Sequence, residues 1–327
     1  ELERSEAHGA SHAEPPASEP PSHPHPAAVL HGEDEEEPFD PNVRQNVAGT
    51  PVSPEWDAEK IINTDRPDFT DVLPTVGKGV WQTESGLSLK MRRSEEYGFN
   101  RWAVPETFLR LGLTRRFELR VKWDAYWFTD RTGTARSVGA SYGSTMIVGF
   151  KWQAVPQAGW VPGHTFLGTL SYHAGTGRGP AQTAIQPGVN WVYGWQMNKW
   201  LVLRGSTGFE VTVRHPQAQP AGDMTPTYDL PTRQTFVELH QSVVSYVQIL
   251  KRLGMYYEWF GFWYYGQERG VQHNGGVGAY IYLTPNIQLD VRYGGTIAGP
   301  VRETFTGVGV SFRGRYNKKK GPRAMMR

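Results

Sequence analysis

The period of the apolar residues constrains this chain more than any other feature. From Lys78 onward they recur at every second position, in segments of about ten residues rich in Val, Leu, Thr, Tyr and Trp, separated by Gly, Pro, Asn and charged turns. No helical period is sustained. Twelve strands are predicted, at 79–91, 105–113, 116–128, 142–152, 164–173, 184–196, 199–213, 233–248, 252–264, 272–283, 286–295 and 303–313. The third sets Glu118, Arg120, Lys122 and Asp124 against Leu119, Val121, Trp123, Ala125 and Trp127. The seventh sets Arg204, Ser206, Gly208 and Glu210 against Leu203, Gly205, Thr207, Phe209 and Val211. Successive side chains of a strand point to opposite sides, so each set occupies its own face of a sheet. The one stretch with helix formers, 235–253, carries Val243-Val244-Ser245-Tyr246-Val247, which favours a strand.

A soluble sandwich also alternates, so the connections and the aromatics decide. Links after even-numbered segments are tight: Thr114-Arg115, Met197-Asn198, Ile249-Leu250-Lys251 and Thr284-Pro285, with 153–163 the exception. Links after odd-numbered segments are longer, at 92–101, 129–141, 174–183 and 214–232. Outer-membrane barrels show this asymmetry, with short periplasmic turns and long external loops. On that topology Trp81, Trp152, Trp195, Trp200, Tyr280 and Tyr282 fall at one rim, and Trp127, Phe128, Trp263, Tyr264, Tyr265 and Tyr293 at the other. Amphipathic rings seek membrane–water boundaries, so two such belts point to a closed antiparallel transmembrane β-barrel rather than a soluble core. An even strand number leaves both barrel ends on the periplasmic side.

Composition agrees. A mean hydropathy of −0.52 beside 13% aromatic residues suits strands that are greasy on one side only. The sequence has no run of 18 apolar residues to form a spanning helix, and no cysteine for disulfides, iron–sulfur clusters or thiol nucleophiles. Glu1 rather than Met heads the chain, as expected of a mature protein whose export signal has been removed. Of 34 basic and 32 acidic residues, three and 14 fall within 1–60, together with ten of the 24 prolines. Such a segment buries too little apolar surface to offset its ordering entropy, so 1–60 is expected to be a disordered acidic extension. Its histidines (His8, His12, His23, His25, His31) could hold a soft divalent ion loosely, but low-complexity drift is the simpler account. No metal or cofactor is assigned.

Between the extension and the first strand stands Ile61-Ile62-Asn63-Thr64-Asp65-Arg66-Pro67-Asp68-Phe69-Thr70, followed on the strand by Gln82-Thr83-Glu84-Ser85-Gly86. This pair of motifs resembles the outer-membrane proteins grouped as "putative MetA-pathway of phenol degradation". The likeness covers residues 61–313. It implies a transporter-like barrel and a channel role for small, often aromatic or apolar compounds. Two features depart from the pattern: the acidic extension, and a basic tail, 314–327, where such barrels commonly finish at a terminal aromatic, here Phe312.

The residues themselves carry an electrostatic reading. Pro67 pre-sets an extended bend that cannot join the middle of a sheet. Asp65, Arg66 and Asp68 can then turn inward as a plug or constriction over 61–77, or merely clamp the chain and fix register. Inward faces of the 78–313 barrel supply the lining: Glu84, Lys90, Arg110, Glu118, Arg120, Lys122, Asp124, Lys151, Arg204, Glu210, Glu238, Glu258, Asp290 and Arg292. Inward Phe260 and Tyr256, beside Glu258, offer an apolar solute a stacking surface or simply pack.

The function expected is passive passage of small solutes across the outer membrane, with lipid and lipopolysaccharide as surroundings. The alternative is a structural or adaptor barrel whose 1–60 extension docks another envelope protein. Nucleic acid is not an expected partner, and the oligomeric state is left open. A barrel hydrolase is the third reading. Glu238, His240 and Ser242 share one face, but a strand spaces them about 6–7 Å apart, too far for direct hydrogen bonds along the row. Catalysis is therefore not expected.

Overall fold

Strands form where the alternation predicts them. The structure, a computed structural model, describes residues 61–93, 97–133, 141–176, 185–214, 234–265 and 271–316. The strands are β1 (Val80–Arg93), β2 (Tyr97–Gly112), β3 (Phe117–Gly133), β4 (Ser141–Val155), β5 (Gly163–Thr176), β6 (Ile185–Gln196), β7 (Leu201–Arg214), β8 (Gln234–Leu250), β9 (Leu253–Tyr265), β10 (Val271–Thr284), β11 (Ile287–Ala298) and β12 (Glu303–Arg315). Each pairs antiparallel with its sequence neighbours, and β1 pairs with β12 from Val80↔Arg315 to Arg92↔Glu303, so the sheet closes on itself and leaves no open edge. The 1–60 extension with its histidines, and the basic tail beyond Tyr316, lie outside the described residues.

Two expectations about the strands change. β2 begins at Tyr97, not at 105, so the described residues of the long loop expected at 92–101, which are 92–93 and 97–101, are strand instead. Pro105 misled the reading: it sits where the β2–β3 ladder skips from Ala103↔Trp127 to Glu106↔Asp124, an irregularity at which a missing N–H costs little. β12 likewise runs through Gly314 and Arg315, taken above for the tail, because both pair with the start of β1.

The wall is polar inside and apolar outside. Arg110, Lys151, Glu84, Glu118 and Gln82 are among the most deeply buried side chains, whereas Val148 (46%), Val243 (50%) and Val308 (52%) are exposed on the outer face. Soluble chains rarely bury Lys and Glu while exposing rows of aliphatic residues, but a barrel in lipid requires it. The aromatic belts need one correction. Tyr280 and Tyr246 are buried inside the lumen with Tyr256, with Tyr282 packed against them, and Tyr264 also turns inward to stack near Phe262. Strand parity, which places Tyr280 and Tyr282 in phase with inward Gly278, overrides their position near a strand end.

Candidate functional site: a segment folded into the lumen

Residues 61–79 enter the barrel at its lower end, where β1 begins and β12 ends, and lie inside it without regular secondary structure. A buried backbone without a ladder needs other partners, and here the wall supplies them. Glu84 accepts the N–H groups of Asp65 (3.2 Å) and Arg66 (2.8 Å). Glu258 accepts those of Phe69 (2.8 Å) and Thr70 (2.7 Å), and Glu118 that of Val76 (2.7 Å). The carbonyls of Asn63 and Pro74 accept from Arg110, that of Val72 from Lys151, and that of Leu73 from Thr165. Charged wall residues thus act as the missing secondary structure of the segment.

Asp65 is the centre of the first charge cluster. Its carboxylate meets Arg120 at 2.7 Å, Arg110 at 3.1 Å and Lys151 at 3.1 Å, and accepts the Val72 N–H at 2.7 Å. Glu84, Glu118 and Asp71 share the same cations. Burial pushes the Asp65 carboxyl upward, but Arg110, Lys151, Arg120 and the Val72 amide outweigh it and hold the group far below the usual carboxylate range.

Arg66 occupies a notch at the seam where the barrel closes. Gly86 of β1 and Gly309 of β12 face each other across that seam. A Cβ at Gly86 would lie 2.7 Å from Arg66 Cζ, and one at Gly309 would lie 2.8 Å from Arg66 Nε. Only two adjacent glycines let the guanidinium lie flat on the wall. There it donates to Glu106 (2.6 Å) and to the Val308 carbonyl (3.3 Å), with Asp290 at 3.9 Å. Burial opposes its charge, yet Glu106 and Asp290 raise its affinity for the proton above the ordinary arginine value.

Asp68 lies on the other side of the segment. It accepts a hydrogen bond from the Tyr246 hydroxyl, and Arg204 lies over the Tyr246 ring at 4.0 Å. Burial, then the negative charge of Glu258, pushes the Asp68 carboxyl well above its ordinary range against the pull of Arg204. Next to it Phe69 stacks on Phe260 at 4.8 Å and meets Phe262 and His240 edge-on. Ser242 is engaged by Thr70 and Ser206, both at 2.7 Å.

The segment divides the lumen. Above it a vestibule of about 910 Å³ is lined by Asp65–Phe69, Lys90, Lys122, Asp124, Glu238, Arg292 and the β9 aromatics. Below it a cavity of about 90 Å³ is lined by Ile62, Arg204, Tyr246, Tyr280 and Gln288, among others. Arg66 lines both. Several residues expected to line an open pore are placed otherwise. Arg110, Glu118 and Asp290 are sealed behind the segment, Arg204 borders the lower cavity, and Glu210, although directly across the ladder from Glu238, is not among the residues that line the vestibule. Glu84, Arg120 and Glu258 both hold the segment and border the vestibule. The sequence reading missed Glu106, Asp71, Tyr246 and Glu303. Parity with Val244 and Gln248 would have revealed Tyr246, and parity with inward Arg110 would have revealed Glu106.

A closed, inside-polar barrel with its own N-terminal segment folded into the lumen has the fold class of transmembrane β-barrels. Residues 64–314 match the family described as "Putative MetA-pathway of phenol degradation", and the chain belongs to that family. Among solved structures it is similar to an outer-membrane channel from Pseudomonas putida F1, at 11% identity and a TM-score of 0.56, over 77% of this chain and 100% of that one. Lesser likenesses are to the translocator domain of the autotransporter NalP from Neisseria meningitidis (8% identity, TM-score 0.49, 72% of this chain, 88% of that one) and to the NanC porin (10%, 0.45, 70%, 98%). No curated protein matches by sequence.

Proposed function

We propose that this protein is an outer-membrane channel for passive passage of small solutes, aromatic or apolar ones included, with the 61–79 segment as its constriction. One observation carries the reading: the vestibule and the lower cavity lie on either side of the segment, and Arg66 is common to both linings. A solute crossing the barrel passes that side chain. Both termini lie on the periplasmic side in this reading, and lipid or lipopolysaccharide surrounds the wall. The reading is of a channel without catalysis, and Ser242, the hydroxyl nearest His240 along β8, is held by two other hydroxyls, those of Thr70 and Ser206.

Planar-bilayer recording tests this. Wild-type protein is expected to give small discrete openings, and Arg66→Ala to raise their conductance severalfold by joining the two cavities. A second reading draws on the bracing of the segment by side chains from many strands, which suits a permanently sealed barrel serving as an adaptor through residues 1–60. A tight seal from both wild type and Arg66→Ala favours that reading, provided a partner is recovered only when the extension is present.

A further inference from the structure

The vestibule carries a feature that the passage reading does not require. Phe305 of β12 lies flat across its neighbours. A Cβ at Gly294 of β11 would collide with its ring, and one at Gly276 of β10 would lie 3.6 Å from the same ring. Gly276 pairs with Gly294, and Gly294 with Phe305, so a bed of glycine lets the ring cross two strands and reach Phe260 at 5.9 Å. Phe260 continues to Phe69 at 4.8 Å and Phe262 at 5.8 Å, and Phe262 to Tyr264 at 6.3 Å. The result is a continuous aromatic shelf, inlaid in the wall and open to the vestibule.

The shelf ends at a cation. Phe305 stands directly across the β12–β1 ladder from Lys90, and Lys90 directly across β1–β2 from Arg101. Two cations thus face each other across β1–β2 at this end of the shelf. Lys90 remains half-exposed to the vestibule, and its carboxylate partner Glu303, at 3.2 Å, also holds Arg92. The half-exposed ammonium of Lys90 therefore stands at the edge of an apolar surface.

From this juxtaposition we infer a binding site for small aromatic monocarboxylates: the ring lies on the Phe305–Phe260–Phe69 shelf and the carboxylate on Lys90. The inference rests on the reading of the lumen as a solute path and names the class of solute held there. Ring stacking supplies affinity for any arene, and the cation selects the anion among them.

Titration calorimetry on the full chain in detergent micelles, with empty micelles as the blank, tests the site. The probes are benzoate, benzyl alcohol (a ring without charge) and acetate (a charge without ring). Benzoate is expected to bind saturably and more tightly than benzyl alcohol, and acetate not to bind. Lys90→Met should weaken benzoate by about tenfold, the scale of one charge-assisted hydrogen bond, and leave benzyl alcohol unchanged. Phe305→Leu should weaken both. Equal binding of benzoate to wild type and Lys90→Met, or no saturable binding, overturns the site. Sugar flux into liposomes from the same preparation separates the two ideas. Flux without benzoate binding removes the site and keeps the channel, whereas benzoate binding without flux keeps the site and removes the channel.

Discussion

At the scale of single residues, two aspartates three positions apart do opposite electrostatic work. Asp65 is the shared acceptor of Arg110, Arg120 and Lys151. Removing one side of a buried ionic cluster leaves charges without partners, so Asp65→Asn should destabilise the folded barrel by about 3–5 kcal/mol in equilibrium unfolding from lipid vesicles. A loss under about 1 kcal/mol would mean that Glu84, Glu118 and Asp71 neutralise the three cations unaided. Asp68 is held above its ordinary range by burial and by Glu258, so the inserted state binds a proton that the free segment releases. The sign follows from linkage. Stability contributed by a raised carboxyl is present at low pH and is lost as pH rises through the folded-state value. Insertion of the segment should therefore weaken toward alkaline pH, seen as a rising open probability, and Asp68→Asn should flatten that profile. Asp65, depressed instead, keeps its contribution until strongly acidic conditions.

At the scale of elements, the unusual one is the 61–79 segment, whose backbone is satisfied by wall side chains rather than by a ladder. Its fit at the seam depends on two glycines as much as on its own arginine. Gly86→Ala should therefore reproduce the higher conductance of Arg66→Ala with Arg66 intact, and the double variant should add little to either single one. Additive increases would show that the notch and the guanidinium act separately. The twelve strands were legible because a period of two is a local signal, repeated in each segment. The charges of Asp65-Arg66-Pro67-Asp68 were legible as inward-turning, but their partners were not. Lys151 lies 86 positions from Asp65, and Glu258 lies 188 from Thr70, so no spacing in the chain announces either pair. Glu106, inside the strand expected at 105–113, was legible from its parity with inward Arg110, and Tyr280 was assigned by its distance from a strand end when its parity with Gly278 already turned it inward.

At the scale of the whole molecule, one solvent assignment governs everything else: lipid contacts the outer face and the lumen holds the polar groups. β8 offers a test on a single strand. Val243, near its middle, and Ile249, near its lower end, share outward parity and similar exposure, 50% and 45%. In water the two positions are equivalent, and an arginine at either would be nearly neutral, as at most surface sites. In a bilayer they differ by depth. An arginine at the midplane of a barrel wall costs about 2–4 kcal/mol, and one near the interface about 0–1 kcal/mol, because the long side chain can reach the headgroups. Val243→Arg should thus lose far more stability than Ile249→Arg when both are unfolded from the same vesicles. Ser242, immediately before Val243 on the same strand, hydrogen-bonds into the segment, so a polar residue one position away is already accommodated on the inner face. Equal, small losses at both outward sites would place water around the wall and would remove the membrane from the account, the channel and its constriction with it.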